Sequence, residues 1–595
     1  VSDPVPRAWT WVGLVAAAVV VLAIPLSLLR EGRGPVPSAL DPEPSFAGTE
    51  ACRDCHRVEY ERWLGSDHDL AMDVANERTV LGDFSGVEAT FHGVTSRFSR
   101  RNDRFVVRTE GPDGEMAEFV VSHTFGHDPL QQYLVPFPGG RLQALHLAWD
   151  RVRGEWFHLY PDHDIPPGDW LHWTRNGQNW NGMCAECHST NLIKGFDPGA
   201  QSYETTWSDI DVGCEACHGP ASRHVAWAEI PPMGRPELAD AGLLVSTADI
   251  APERLVELCA PCHARRAELG DYDHTTAEML DRHLPSLLRE GLYHADGQIL
   301  DEVYVYGSFL QSKMYARRVT CRDCHDSHSL KLHRDGNELC LQCHQGEVYD
   351  TADHHFHKKV HEGRPSDGAL CVKCHMVERP YMVIDWRADH SFRLPRPDLS
   401  EEIGTPNACT QGGCHADRPL DWSIEAYRKW YGQARRPHFG TAFATARDGR
   451  PEAVPELMRL ADSELQPPIV RATALEELGR FPHAEARRVL TAALQSDVAL
   501  LRHTAVTRLV VDTPEELVER LAPLLSDPVR GVRMAAVSQL AAAPRELLAP
   551  YQRDAFDRAL AEYRASVAYS LDFAHSAHNL GNLETVLGNT AAAER

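Results

Sequence analysis

Eight times in 595 residues a pair of cysteines is followed at once by a histidine. Seven copies have the spacing C-x-x-C-H: Cys52, Cys55 and His56; Cys184, Cys187 and His188; Cys214, Cys217 and His218; Cys259, Cys262 and His263; Cys321, Cys324 and His325; Cys340, Cys343 and His344; Cys371, Cys374 and His375. The eighth, "NACTQGGCHAD", puts four residues between Cys409 and Cys414 and then His415. Together they use all 16 cysteines. In this pattern the two thiols add to the vinyl groups of haem as thioethers, and the adjacent histidine becomes an axial iron ligand. Paired cysteines also build zinc sites and disulfide frameworks, but neither needs a histidine after every second cysteine. The pattern predicts covalently bound haem c with its iron, eight copies if the longer loop is accommodated and seven if that site is lost. Gly412 and Gly413 give the longer loop the backbone freedom it needs.

The spacing of the motifs limits the fold. His344 follows His325 by only 19 positions, and His218 follows His188 by 30. Segments that short cannot bury a large core, so the haems must supply much of the apolar interior. The expected fold class is mainly α with much irregular structure. Residues 85–165 are the exception, a β-rich insertion: apolar and polar residues alternate around "GPDG" and again around "PGG", which are hairpin signals.

After residue 437 the cysteines stop and a period appears. "VRATALEEL", "LRHTAVTRL" and "VRMAAVSQL" recur every 31 residues, with Arg471, Arg502 and Arg533 in register and Ala474, Ala505 and Ala536 likewise. Such a period predicts stacked helix pairs, an α-solenoid similar to HEAT repeats, with a tetratricopeptide-like end. Its expected role is protein docking, the alternative being a lid over the haems. The boundaries are then 1–33 for an anchor, 34–47 for a Pro-rich linker, 48–430 for an octahaem domain and 437–595 for the helical repeats.

Residues 9–29 form an uncharged, largely apolar run, about 31 Å as a helix and enough to cross a bilayer core. This reads as a single N-terminal transmembrane helix; the alternative is a cleaved signal peptide, whose apolar stretch is usually shorter. Because c-type haems are matured outside the cytoplasm, the remainder is expected on the periplasmic side, anchored to the inner membrane or secreted after cleavage. A formal charge of −25 excludes a basic nucleic-acid surface and suits steering of a basic redox partner.

Each six-coordinate iron needs a second ligand, and 32 histidines are ample. Histidine pairs hold the potential low, whereas methionine raises it. His328, three residues past His325, and His224, six past His218, are too close to reach across their own iron but suit a neighbour.

"CRDCHRVEYERWLGSDHDLAM", "NWNGMCAECHSTNL", "DVGCEACHGPASRH", "GLYHADGQILDEVYVYGSFLQSKMY", "CRDCHDSHS", "HHFH" and "CHMVERPYMVIDWRADHSFRLPRPDL" together resemble a family of periplasmic multihaem c-type cytochromes. Its haem part is related to the tetrahaem cytochrome partner of hydroxylamine oxidoreductase, and members often carry fused helical repeats. The resemblance implies sixth ligands at His68, His172, His224, His294, His328, one or more of His354, His355 and His357, and His390, with His92, His158 and His361 in reserve. The chain departs from the family at "PNAC", where a shorter C-x-x-C-H is the pattern; C-x4-C-H attachments do occur in small tetrahaem cytochromes.

The resulting expectation is an electron carrier between a membrane quinol-linked donor and a periplasmic or extracellular acceptor. The alternative is a multihaem oxidoreductase of nitrogen or sulfur compounds with one open-coordination haem. No motif carries the proximal lysine associated with ammonia-forming nitrite reductases, which argues mildly against the second.

Overall fold

A computed structural model describes residues 43–271, 278–410, 414–432 and 437–594. The proposed anchor at 9–29, most of the Pro-rich linker, and Gly412 and Gly413 lie outside the described residues. Among the described residues no helix is long and apolar enough to cross a membrane. They form a mixture of helices and small antiparallel sheets, with the longest helices in the tail.

Between the first two motifs lie ten strands: β1 (Met72–Val74), β2 (Glu88–Phe91), β3 (Val94–Arg101), β4 (Arg104–Glu110), β5 (Met116–Val120), β6 (His123–Phe125), β7 (Leu130–Phe137), β8 (Arg141–Ala144), β9 (Leu147–Asp150) and β10 (Glu155–His158). One sheet runs β2-β3-β4-β5 and the other β1-β6-β7-β9-β10, with β8 on β7. "GPDG" turns β4 into β5 and "PGG" turns β7 into β8. Alternation puts Phe98 opposite Val107, and Val107 opposite Phe119. These residues meet Phe84, Tyr133 and Trp156 in one core, where Phe98 stacks on Trp156 at 3.6 Å. Each such ring contributes about 1.5–3 kcal/mol on leaving water. A Cβ at Gly82 would lie 2.5 Å from the Tyr133 hydroxyl, so only glycine fits there.

The haem motifs sit on very short helices, such as Ala185–His188, Cys214–His218 and Cys371–His375, or on the last turn of Pro252–His263. Helical spacing explains this: residues i, i+3 and i+4 share a face, so both thiols and the imidazole point the same way. Cys409 and Cys414 are five apart, roughly 140° around a helix at 3.6 residues per turn. They lie instead in turns and bends.

In the tail, the helix Pro468–Leu478 packs on Val454–Asp462 and on Ala499–Arg508; the latter packs on Arg530–Leu540, which packs on Pro550–Tyr569. Ala474, Ala505 and Ala536 are fully buried where these helices approach. Two of the three periodic arginines repeat a task, while Arg471 donates to the Ala461 carbonyl. Arg502 donates to Asp527 through both Nε and Nη2 and to the Ser496 carbonyl; Arg533 donates likewise to Glu562 and the Asp527 carbonyl. Among the described residues the tail has no separate core: its leucines and valines form one cluster with Val256, Met279, Leu288, Tyr293 and Phe309. The Leu288 amide donates to Thr473 Oγ1 at 3.2 Å, and a Cβ on Gly531 would lie 2.7 Å from the Leu280 carbonyl.

Candidate haem centres

Four of the histidines that follow a cysteine pair face a second imidazole at a nearly constant distance. The ring centroids of His56 and His224 are 6.0 Å apart, those of His263 and His68 6.4 Å, those of His375 and His354 6.3 Å, and those of His415 and His357 6.2 Å. Two metal–nitrogen bonds of about 2.0 Å in line would place ring centroids roughly 6 Å apart. Rings in van der Waals stacking would sit closer. The four centroid separations are compatible with an iron between the rings; His146 and His172, whose nitrogens are engaged elsewhere, lie at a similar 6.1 Å.

The second ring nitrogen is the other half of the fit. An imidazole offers Nε2 to a metal when Nδ1–H is engaged by a carbonyl, which also fixes the ring. His188 donates from Nδ1 to the Ala71 carbonyl (3.0 Å), His375 to Arg393 (2.6 Å), His224 to Ala241 (2.9 Å), His390 to Ala388 (2.9 Å) and His357 to His355 (2.5 Å). Burial lowers the basicity of His188, His375 and His390, keeping them neutral as a ligand must be. His263 is pushed down to about 4 by burial and by His68 beside it. Of these, His224, His263, His357 and His375 belong to the four facing pairs and fit a bis-histidine haem.

Other expected ligands are placed differently. His328 is close enough to His218, and His390 to His325, for their charges to oppose each other. His355 accepts the His357 amide at Nδ1, which puts the proton of its neutral ring on Nε2. Arg379 points at His294 Nε2 from 3.5 Å. His172 is buried in an imidazole cluster with His146, His158 and His92, its Nδ1 2.9 Å from Thr174 Oγ1. His92 and His146 use Nε2 to donate to the Tyr160 and Leu171 carbonyls, and His158 Nδ1 accepts the Tyr160 amide. His361 is exposed beside Glu362. Among the described residues, neither His188 nor His344 has a histidine ring paired with it in the manner of the four pairs above.

The cysteines bring the motifs together in sequence order except for the second. All sixteen are unbridged, yet the Cys52 thiol contacts Cys214, Cys187 contacts Cys262, Cys259 contacts Cys321, and Cys340 contacts Cys371. Cys217 is also near Cys259, Cys324 near Cys343, and Cys374 near Cys409 and Cys414. The motifs therefore run first, third, fourth, fifth, sixth, seventh, eighth, with the second branching from the fourth.

Residues 51–87 and 173–219 match the family described as "Cytochrome c554 and c-prime", and residues 314–348 match the doubled CXXCH motif. These segments carry the haem-attachment pattern of multihaem c-type cytochromes. The matched segments hold the first three motifs and the fifth and sixth. Among solved structures, the crystal structure of outer cell wall cytochrome OcwA is similar at 16% identity and a TM-score of 0.46, covering 87% of this chain and 99% of that one. No curated protein matches the chain.

Motif spacing and resemblance did not reveal what surrounds the second motif of this chain. Glu186, between Cys184 and Cys187, is buried and takes hydrogen bonds from Arg266 and, at 2.9 Å, from His283. Tyr160 and Tyr304 both lie within the electrostatic reach of Cys184 and Glu302. Tyr304 has a φ of 59°, and Met382 and Val383 nearby have 44° and 72°; Met382 donates its amide to Glu302 at 2.9 Å. The acidic residue inside "CAECH" was the one sequence signal of this network.

Proposed function

We propose that the protein relays electrons between protein partners through eight haems, one at each Cys-Cys-His set, most with two histidine ligands. The observation that carries this reading is the set of four facing imidazole pairs at 6.0–6.4 Å. When bound, haem supplies an iron that alternates between ferric and ferrous states. The cysteines would hold each porphyrin; His56 with His224, His263 with His68, His375 with His354 and His415 with His357 would hold the irons. His218 with His328, and His325 with His390, are the next pairs on the strength of their proximity. Contacts between motifs supply the continuity that a relay requires. The anchor at 9–29, an extracytoplasmic location, a quinol-linked donor and partner docking on HEAT-like tail repeats complete the proposal on sequence grounds.

A second reading attaches to His188. With no facing imidazole among the described residues, and with Tyr160, Tyr304 and Glu302 about its motif, it suits an open coordination position where a small molecule could bind. Intact mass gives the haem count, and the spin state of the oxidised protein decides between the readings. Eight haems, all low-spin and unchanged by nitrite, hydroxylamine or cyanide, would support a pure relay and sink the second reading. One stoichiometric high-spin haem would favour the second. Fewer than eight haems would overturn the proposed count.

A further inference from the structure

Buried charges link the tail turn at Asp572 to the second motif: Lys194 acts on Glu268, which pairs at 2.9 Å with Arg266, the partner of Glu186. Lys194 and Asp572, 378 residues apart, form an ion pair at 3.0 Å with side chains only 1% exposed. The Lys194 ammonium also lies 4.1 Å from the centre of the Tyr569 ring. Tyr203 donates its hydroxyl to the other Asp572 oxygen at 3.0 Å, and Asn176 donates to the Asp572 carbonyl at 2.7 Å. At the far end Arg266 binds Glu186 and holds Nη2 3.6 Å from Cys187 Sγ.

The tail turn sits directly on the residues that precede the motif. A Cβ at Gly182 would lie 2.5 Å from Asp572 Oδ2 and 3.0 Å from Phe573. Glycine in the short helix Trp180–Met183 lets the turn close over the residues that lead into Cys184. Tail and motif touch through charges in a low-dielectric interior, where one carboxylate acts more strongly than it would at the surface.

We infer that Asp572 is a positioning residue for the second haem-attachment motif, holding Lys194 and the tail turn against it so that the charges ending on Cys187 stay fixed. This rests on the reading that the second motif carries a haem. Removing the carboxylate takes a negative charge from beside the motif, which disfavours the ferric state and raises the potential of the haem attached there.

The test uses the full-length holoprotein carrying Asp572→Asn, with Asp557→Asn as control, since Asp557 pairs with Arg545 on the exposed face of the same tail. Intact and peptide mass first establish haem on Cys184 and Cys187; a bare peptide would overturn the haem reading itself. A redox titration followed by electron paramagnetic resonance then reads each haem. The expected result is an upward shift of one potential, or of that haem and its fourth-motif neighbour, with the control unchanged. No shift, or an equal shift of every haem, would overturn the inference. If the Asn variant does not accumulate, Tyr203→Phe removes one hydrogen bond while keeping both charges. It should perturb the same haem less, and an unperturbed spectrum would count against Asp572.

Discussion

His357 and His415 face each other with ring centroids 6.2 Å apart and planes inclined by 35°. The histidine that follows the long cysteine loop is thus placed like those of the regular motifs, although its cysteines are five residues apart rather than three. The positioning comes from His357, whose Nδ1 is bound to the His355 carbonyl, and from Trp422, whose ring lies 4.7 Å from His415. The unusual loop is compatible with an ordinary axial pair.

Replacing His357 with alanine should leave the haem count unchanged and convert one low-spin ferric signal to high-spin. His357→Met should instead retain a low-spin signal and raise one potential. Paramagnetic resonance and a redox titration read both outcomes, and unchanged spectra would exclude His357 as a ligand.

Phe98 is fully buried and stacked on Trp156 in the β-rich core. Its truncation to alanine leaves a cavity between two sheets, with an expected cost of about 3–5 kcal/mol. Denaturant unfolding followed by tryptophan fluorescence should show the midpoint falling.

Ala505 lies fully buried at the contact between stacked tail helices. Leucine there would force Pro468–Leu478 and Arg530–Leu540 apart, with an expected cost of about 1–3 kcal/mol. Because tail and haem region share one core, loss of tail helicity and exposure of residues 279–310 to hydrogen exchange should occur together. Tail unfolding without that exposure would contradict a shared core.

Burial, reinforced by the charge of Asp209, raises Asp211 from its ordinary 3.8 to about 7, and its Oδ1 has no hydrogen-bond partner. An acid raised on folding binds more protons in the native state than in the unfolded state. Its contribution to stability is therefore full below about pH 4, the unfolded value, and declines as pH rises. It is lost once the pH has passed the folded value of about 7. Asp211→Asn should flatten this part of the profile, and unfolding midpoints measured at intervals from pH 4 to pH 8 check it.

A net charge of −25 predicts that reduction by a small basic electron carrier slows as salt rises, because screening shortens the reach of the field to about 8 Å at physiological ionic strength. Stopped-flow rates independent of ionic strength would mean that the acidic surface serves solubility alone.

The cysteine sets were legible because covalent attachment is a local pattern, and the hairpins because alternation around Gly-rich turns is local too. Choosing among the remaining histidines was not local. His224 and His172 are both histidines in plausible segments, but the first has a carbonyl at Nδ1 and a proximal ring across a gap, whereas the second has Thr174 and other imidazoles. That difference is made by residues distant in the chain. The union of tail and haem region escaped the sequence for a similar reason. The 31-residue period reports that the tail helices have an apolar face, but not that Leu280 and Leu288 cover part of it.

The bond between Lys194 and Asp572 also orders events during the making of the protein. Every Cys-Cys-His set precedes Asp572 in the chain, so the segment around Cys184 and Cys187 cannot reach its closed form until Asp572 has been made. A haem attached to Cys184 and Cys187 before that point would meet the segment uncovered, and the turn after Pro550–Tyr569 would close over it afterwards. A chain cut short before residue 569 would be expected to acquire its cofactors and still leave the second one under-protected, a defect of biogenesis rather than of ligand chemistry.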